Sequence, residues 1–207
     1  MGPALVVPKG VNFGRRLGVK IACRLTELID AANEPAGFAV AGSQRGWATA
    51  QPGRPVELIL RERVGNPVIV IDEVDKVGDV RSDRGFSFAL SNALLPLLEP
   101  LSARTWNCPY FRVRFDMRWI TWVLTSNNRR TVPAPLLSRC RVVDIPPLSG
   151  AHLAYFARRE GVARGLPADT VDALVDMLRG VGRGWDLRAV LKLIEGVLAR
   201  EALPLLH

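Results

Sequence analysis

The run Val68-Ile69-Val70-Ile71, closed abruptly by Asp72-Glu73, restricts the possible folds more than any other feature of this chain. Four β-branched residues in a row, with no polar alternation, specify a strand covered on both faces, as in a parallel sheet. Asn66-Pro67 stops the short helix expected from about Val56 to Arg63 just before it. Ile120-Thr121-Trp122-Val123-Leu124 reads as a second buried strand and runs out into Thr125-Ser126-Asn127-Asn128. Val142-Val143-Asp144-Ile145 reads as a third, closed by Pro146-Pro147. Parallel strands need crossovers, and helical patterns stand between them. The fold class expected is α/β, a parallel sheet with flanking helices.

Leu17, Ile21, Leu25 and Leu28 predict an amphipathic helix over 15–29, and 88–98 also reads as helical. The Gly-, Ser- and Thr-rich stretch from Gly37 to Arg54 reads as loop around Trp47. After Pro147 only helices are expected. Ser149 is a candidate cap for a helix carrying Leu153 and Phe156, Asp169 for one carrying Val171, Leu174, Val175 and Leu178, and Asp186 for one carrying Val190, Leu191 and Ile194. The domains expected are therefore 1–147, an α/β unit, and 148–207, a small helical unit.

At 207 residues, 48% hydrophobic and 23% charged, the chain can bury a sizeable core. No apolar run approaches the ~20 residues of a membrane span, and Met1–Gly10 lacks the stages of a signal peptide, so a cytoplasmic location and no membrane partner are expected. Three scattered cysteines, with no Cys-x-x-Cys pair, argue against a disulfide framework or a zinc site. The net charge of +8 is carried mostly by Arg, which suits phosphate or carboxylate contacts. A solvated surface is the plainer reading, and nucleic acid is the less favoured partner because no basic block alternates with aromatics.

Ligands bind at the carboxyl edge of an open parallel sheet, so polar residues that follow buried strands are the candidates for chemistry. Asp72 and Glu73 can divide labour there, one serving Mg²⁺ and the other orienting a water for phosphoryl transfer; an ordinary strand end is the alternative. Asn127 offers a donor and an acceptor without charge, suited to a γ-phosphate or a lytic water, or else caps a turn. Arg139 ends the stiff segment Pro133-Ala134-Pro135-Leu136-Leu137-Ser138 and either neutralises transition-state charge or is a surface cation.

The order Val68–Lys76 (VIVIDEVDK), Leu124–Asn127 (LTSN), Val132–Arg139 (VPAPLLSR) closely resembles the AAA+ ATPases, and within them the ATPase module of Lon-type proteases. The resemblance runs from about Gly37 to the end. It implies a P-loop NTPase-like sheet followed by an all-helical lid, with ATP and Mg²⁺ as cofactors. It places Asp72 and Glu73 in the Walker B positions, Asp72 serving the metal, Asn127 as sensor 1, Arg139 as arginine finger and Arg188 as sensor 2. Gly46–Gly53 is similar to the pore-loop segment, with Trp47 gripping a protein substrate; a core tryptophan is the competing reading. A finger acting on a neighbour's nucleotide implies a ring of this chain, six copies, with a separate protease subunit as a further partner.

One part of the pattern is missing. A P-loop needs Gly-x-x-x-x-Gly-Lys-Ser/Thr, so that backbone N–H groups, a lysine and a hydroxyl surround the phosphates and metal. The corresponding stretch here, Ala4–Leu17, has Gly10 and Gly14 as candidate phosphate-loop glycines but no Gly-Lys-Ser/Thr triplet between Val11 and Asn12; Lys9 and Arg15 lie nearby. Impaired nucleotide affinity or turnover is expected. A pseudo-ATPase interaction subunit, a deletion and an incomplete N-terminus all fit, and a nucleic-acid-remodelling relative is a further alternative.

Overall fold

The unalternating runs become strands of one sheet, two of them, Val68–Asp72 and Thr121–Thr125, directly paired. The computed structural model describes residues 4–7, 25–32, 36–46, 49–76, 90–180 and 185–201. Strands β1 (Ala4–Val7), β2 (Thr26–Asp30), β3 (Val68–Asp72), β6 (Thr121–Thr125) and β7 (Arg141–Asp144) lie in the order β2-β3-β6-β1-β7, every adjacent pair parallel. Ile69, Ile71, Trp122 and Leu124 enter one buried cluster, whereas Val68, Val70 and Val123 enter another with Ile145. Both faces of β3 are therefore dry, the physical reason its sequence has no polar alternation.

Parallel pairing brings strand ends to one edge. Ile71 pairs with Leu124 and Val6 with Thr125, so β1, β3 and β6 finish side by side. Gly10 and Gly14, which follow β1, lie outside the described residues, as do Lys9 and Arg15.

The helix expected over 15–29 does not reach its last residues, because Thr26–Asp30 is β2. Leu25 and Leu28 fit a helical template, but the backbone is drawn to β3: Val68 N–H donates to Leu25 O at 2.8 Å, and Ala31 N–H to Asp72 O at 3.1 Å. Ile29 is fully buried opposite Ile71, while Leu28 is partly exposed on an edge strand. Tertiary pairing overrode a weak local period.

The loop expected from Gly37 likewise opens as a helix, α1 (Ala36–Ala41), anchored by fully buried Val40. Gly42, at φ +80, ends it, a conformation that favours glycine. The chain then leaves and returns: Ser43 N–H donates to Gln51 O and Gln51 N–H to Ser43 Oγ, each at 3.0 Å. Trp47, between them, is outside the described residues. Helix α2 (Arg54–Glu62) follows, with Pro55 in its first turn, where a missing N–H costs nothing.

Helices α3 (Leu90–Leu98) and α4 (Pro100–Arg104) lead to a hairpin of β4 (Trp106–Asn107) and β5 (Arg114–Phe115) that the sequence did not announce. Its strands are two residues each, too short for a period; edge-on contacts among Tyr110, Phe111 and Phe115 fill it. A short helix, α5 (Ala134–Leu137), precedes β7.

The chain divides into two compact units between Ile145 and Pro146. The second contains α6 (Gly150–Ala163), α7 (Ala168–Arg179) and α8 (Leu187–Glu201) around Leu153, Phe156, Val171, Leu178, Val190 and Ile194. Ser149 caps α6 in a reciprocal box: His152 N–H donates to Ser149 Oγ, and Ser149 N–H to His152 Nδ1. Asp186 Oδ1 accepts from Ala189 N–H at 2.8 Å at the start of α8. Asp169 does not cap α7. Pro167 holds that position, and Asp169 sits in the first turn, where a carboxylate still favours the helix dipole.

Candidate functional site

The ends of β3 and β6 are laced together by polar groups. Thr125, 2% exposed, donates its hydroxyl to Asp72 Oδ1 and accepts Glu73 N–H at 3.2 Å. Asp72 Oδ1 also accepts Glu73 N–H, at 3.1 Å. Val74 N–H donates to Thr125 O at 3.0 Å, and Asn127 N–H to Asp75 Oδ1 at 3.1 Å. Asn127 Nδ2 then reaches Glu73 Oε1 at 3.3 Å, and Lys76 Nζ donates to that same oxygen at 2.7 Å. Three residues singled out in the sequence, Asp72, Glu73 and Asn127, thus stand in one hydrogen-bonded group at the carboxyl edge.

Glu73 occupies the left-handed region at φ 57, uncommon for a residue with a side chain. The turn it begins is closed by Lys76 N–H on Glu73 O at 2.9 Å, and the end of β6 holds that turn in place through Thr125 and Asn127. Strain of this kind persists where the surroundings over-determine the backbone. The hydrogen bond to Glu73 also raises the Lys76 pKa above its ordinary value, so the lysine stays a cation.

Thr125 and Lys76 were not singled out as site residues. Thr125 carries one available signal, as the first polar residue after a buried run; nothing local marks Lys76, whose contact depends on the turn.

Arg139 lies just after α5, apart from this group in its bonding. Its Nη1 donates to Pro135 O at 3.0 Å, and its Nε is 3.4 Å from Glu99 Oε2. That second approach is an ion pair without hydrogen-bond alignment, since Nε is buried and has no hydrogen-bond partner among the described residues. Arg188 belongs to the second unit, exposed in the first turn of α8.

Among the described residues no group of three or more His, Cys, Asp and Glu side chains is placed to hold a metal ion. One carboxylate, Asp72, at the strand edge is a hard oxygen donor of the kind Mg²⁺ takes when phosphates and waters complete its shell. A single carboxylate of this kind fits a metal whose shell a nucleotide and waters complete.

A family model, the ATPase family associated with various cellular activities (AAA), matches residues 25–147, more than half of the chain. The chain belongs to the AAA family. Membership in an ATPase family implies a nucleotide bound with a metal. Among curated relatives, the AAA chain is 32% identical over 172 residues to the peroxisomal Lon protease homolog 2 of Spinacia oleracea, covering 79% of this chain and 19% of that protein. It is 36% identical over 121 residues to the Lon protease of Desulfovibrio desulfuricans, covering 58% and 13%. The chain thus spans less than a quarter of the length of these relatives, and others named Lon are mitochondrial, as in Neurospora crassa. A cryo-EM reconstruction of Hsp104 with ATPγS and FITC casein in a closed state superposes with a TM-score of 0.71 over 99% of this chain and 41% of that one. At 14% identity it supports the fold alone. Among the described residues no helix is long and apolar enough to cross a membrane.

Proposed function

We propose that this AAA module binds ATP with Mg²⁺ at the edge formed by β3 and β6 and hydrolyses it to remodel or unfold protein, as a Lon-like motor. The observation that carries the reading is the interlocking of Asp72, Glu73 and Asn127 across two strand ends, three polar groups at the position where a triphosphate meets a parallel sheet. Mg²⁺, when bound, would neutralise charge on the phosphates. Asp72 would hold it, with Thr125 keeping that carboxylate oriented. Glu73 accepts a hydrogen bond from the attacking water and so aligns it; Asn127 donates to the γ-phosphate or the water. Arg139 reaches a neighbouring copy's nucleotide in a ring of six, Arg188 reports the nucleotide to the helical unit, and Trp47 engages the protein substrate. Gly10 and Gly14 are the proposed phosphate-loop glycines.

The absent Gly-Lys-Ser/Thr triplet lowers affinity or turnover, and it favours a second reading: an AAA subunit that keeps its interfaces without hydrolysing ATP. Glu73→Gln decides between them. A fall in ATPase rate of at least about a hundredfold with nucleotide affinity retained supports the motor. Turnover equal in wild type and variant removes the role of Glu73, and absence of ATP binding by calorimetry supports the second reading.

A further inference from the structure

Lys76 Nζ, from the turn after β3, and Asn127 Nδ2, from the segment after β6, converge on one oxygen, Glu73 Oε1. The approach of Lys76 is built into the backbone, since the Glu73–Lys76 turn closes on itself at 2.9 Å and is tied to Thr125 O through Val74 N–H. Packing alone does not immobilise Glu73, whose side chain is 29% exposed and has three torsions to set. Two donors on one oxygen can set them. Among the described residues, none donates to Oε2.

We propose that Lys76 is the positioning residue of this site: with Asn127 it holds Glu73 by Oε1 and leaves Oε2 to the incoming water. This rests on the reading of Glu73 as the water-orienting carboxylate. A charge-assisted contact is stronger than a neutral one, so the 2.7 Å ammonium bond is the main restraint and the 3.3 Å amide bond the lesser. Lys76 is half-exposed, which makes its effect one of aim and not of folding. Misaim of a reacting group by about 1 Å costs rates out of proportion to the stability involved.

The experiment follows the Asn127 side-chain amide resonances of the full chain by two-dimensional NMR in wild type, Glu73→Gln, Lys76→Met and Lys76→Arg; it requires no turnover. The expected result is displacement in both Glu73→Gln and Lys76→Met, with near wild-type positions restored by Lys76→Arg. If Glu73→Gln shifts the resonances and Lys76→Met does not, Glu73 keeps its place without the lysine and the proposal is overturned. If neither shifts them, the Glu73–Asn127 contact is absent, and the reading of the site falls with it. Calorimetry with ATP and Mg²⁺ is the second readout. Lys76→Met is expected to retain affinity within about twofold and to lower kcat about tenfold at unchanged KM. A loss of affinity of tenfold or more would make Lys76 a phosphate ligand standing in for the missing lysine, and would overturn the positioning role.

Discussion

Replacing Thr125 by Val tests whether the strand ends are held by hydrogen bonds or merely by packing. The two side chains have nearly the same shape, so the change removes a hydroxyl and little else. That hydroxyl donates to Asp72 Oδ1 and accepts Glu73 N–H at 3.2 Å, in a residue 2% exposed. Water cannot take its place. Glu73 N–H keeps Asp72 Oδ1 at 3.1 Å, so the main loss is one hydrogen bond to a carboxylate, worth about 1.5–3 kcal/mol. Asp72 is half-buried and recovers some hydration, which brings the expected cost to about 2 kcal/mol. Thr125→Ser keeps the hydroxyl and removes a buried methyl, for about 1 kcal/mol. Urea unfolding followed by tryptophan fluorescence, in which buried Trp106 and Trp122 report the first unit, measures both. Valine should cost more than serine; the reverse order would refute the hydrogen-bonded account of the site.

Gly42→Ala should destabilise the first unit by about 2–4 kcal/mol in the same assay, because φ is +80 and a Cβ would stand 2.5 Å from Gly53 N and 2.8 Å from Gln51 O. The Arg118 guanidinium, hydrogen-bonded to Asp116, lowers that carboxyl from an ordinary 3.8 to about 2. The pair's contribution to stability is therefore complete above about pH 4 and lost as pH falls through about 2; a carboxyl NMR titration should show the low midpoint, and Arg118→Met should return it to the ordinary range. Burial raises the Cys140 thiol from 9.0 to about 11. Alkylation at pH 8, read by peptide mapping, should be about a hundredfold slower in the folded protein than in urea; equal rates would mean the thiol is exposed.

Burial on both faces left a local trace in β3 and β6; β7 was legible from its β-branched residues alone, since the buried strand expected there is an edge strand with Val143 42% exposed. The expected strands at Val68–Ile71, Ile120–Leu124 and Val142–Ile145 correspond to β3, β6 and β7, and the polar residues that break off the first two runs mark the edge where Asp72, Glu73 and Asn127 meet. The other edge strand, β2, and the shortest elements left no such trace. β2 looked helical because its identity depends on pairing with β3, and the β4–β5 hairpin is shorter than any period. Helix α1 fell within the stretch read as loop, since only the core contact of Val40 makes so short a helix worthwhile.

The sequence alone determined that β3 and β6 must be dry, where each stops, and which carboxylates and amide lie at the stops, because these follow from side-chain chemistry over a few neighbours. Partnership was decided by tertiary structure. Thr125 meets Asp72 across 53 positions and Asn127 meets Glu73 across 54, distances over which no local pattern carries information. The same holds for Glu99 beside Arg139. Even Lys76, three positions from Glu73, reaches it because β6 pins the turn between them, so the aim of that carboxylate is a property of the fold.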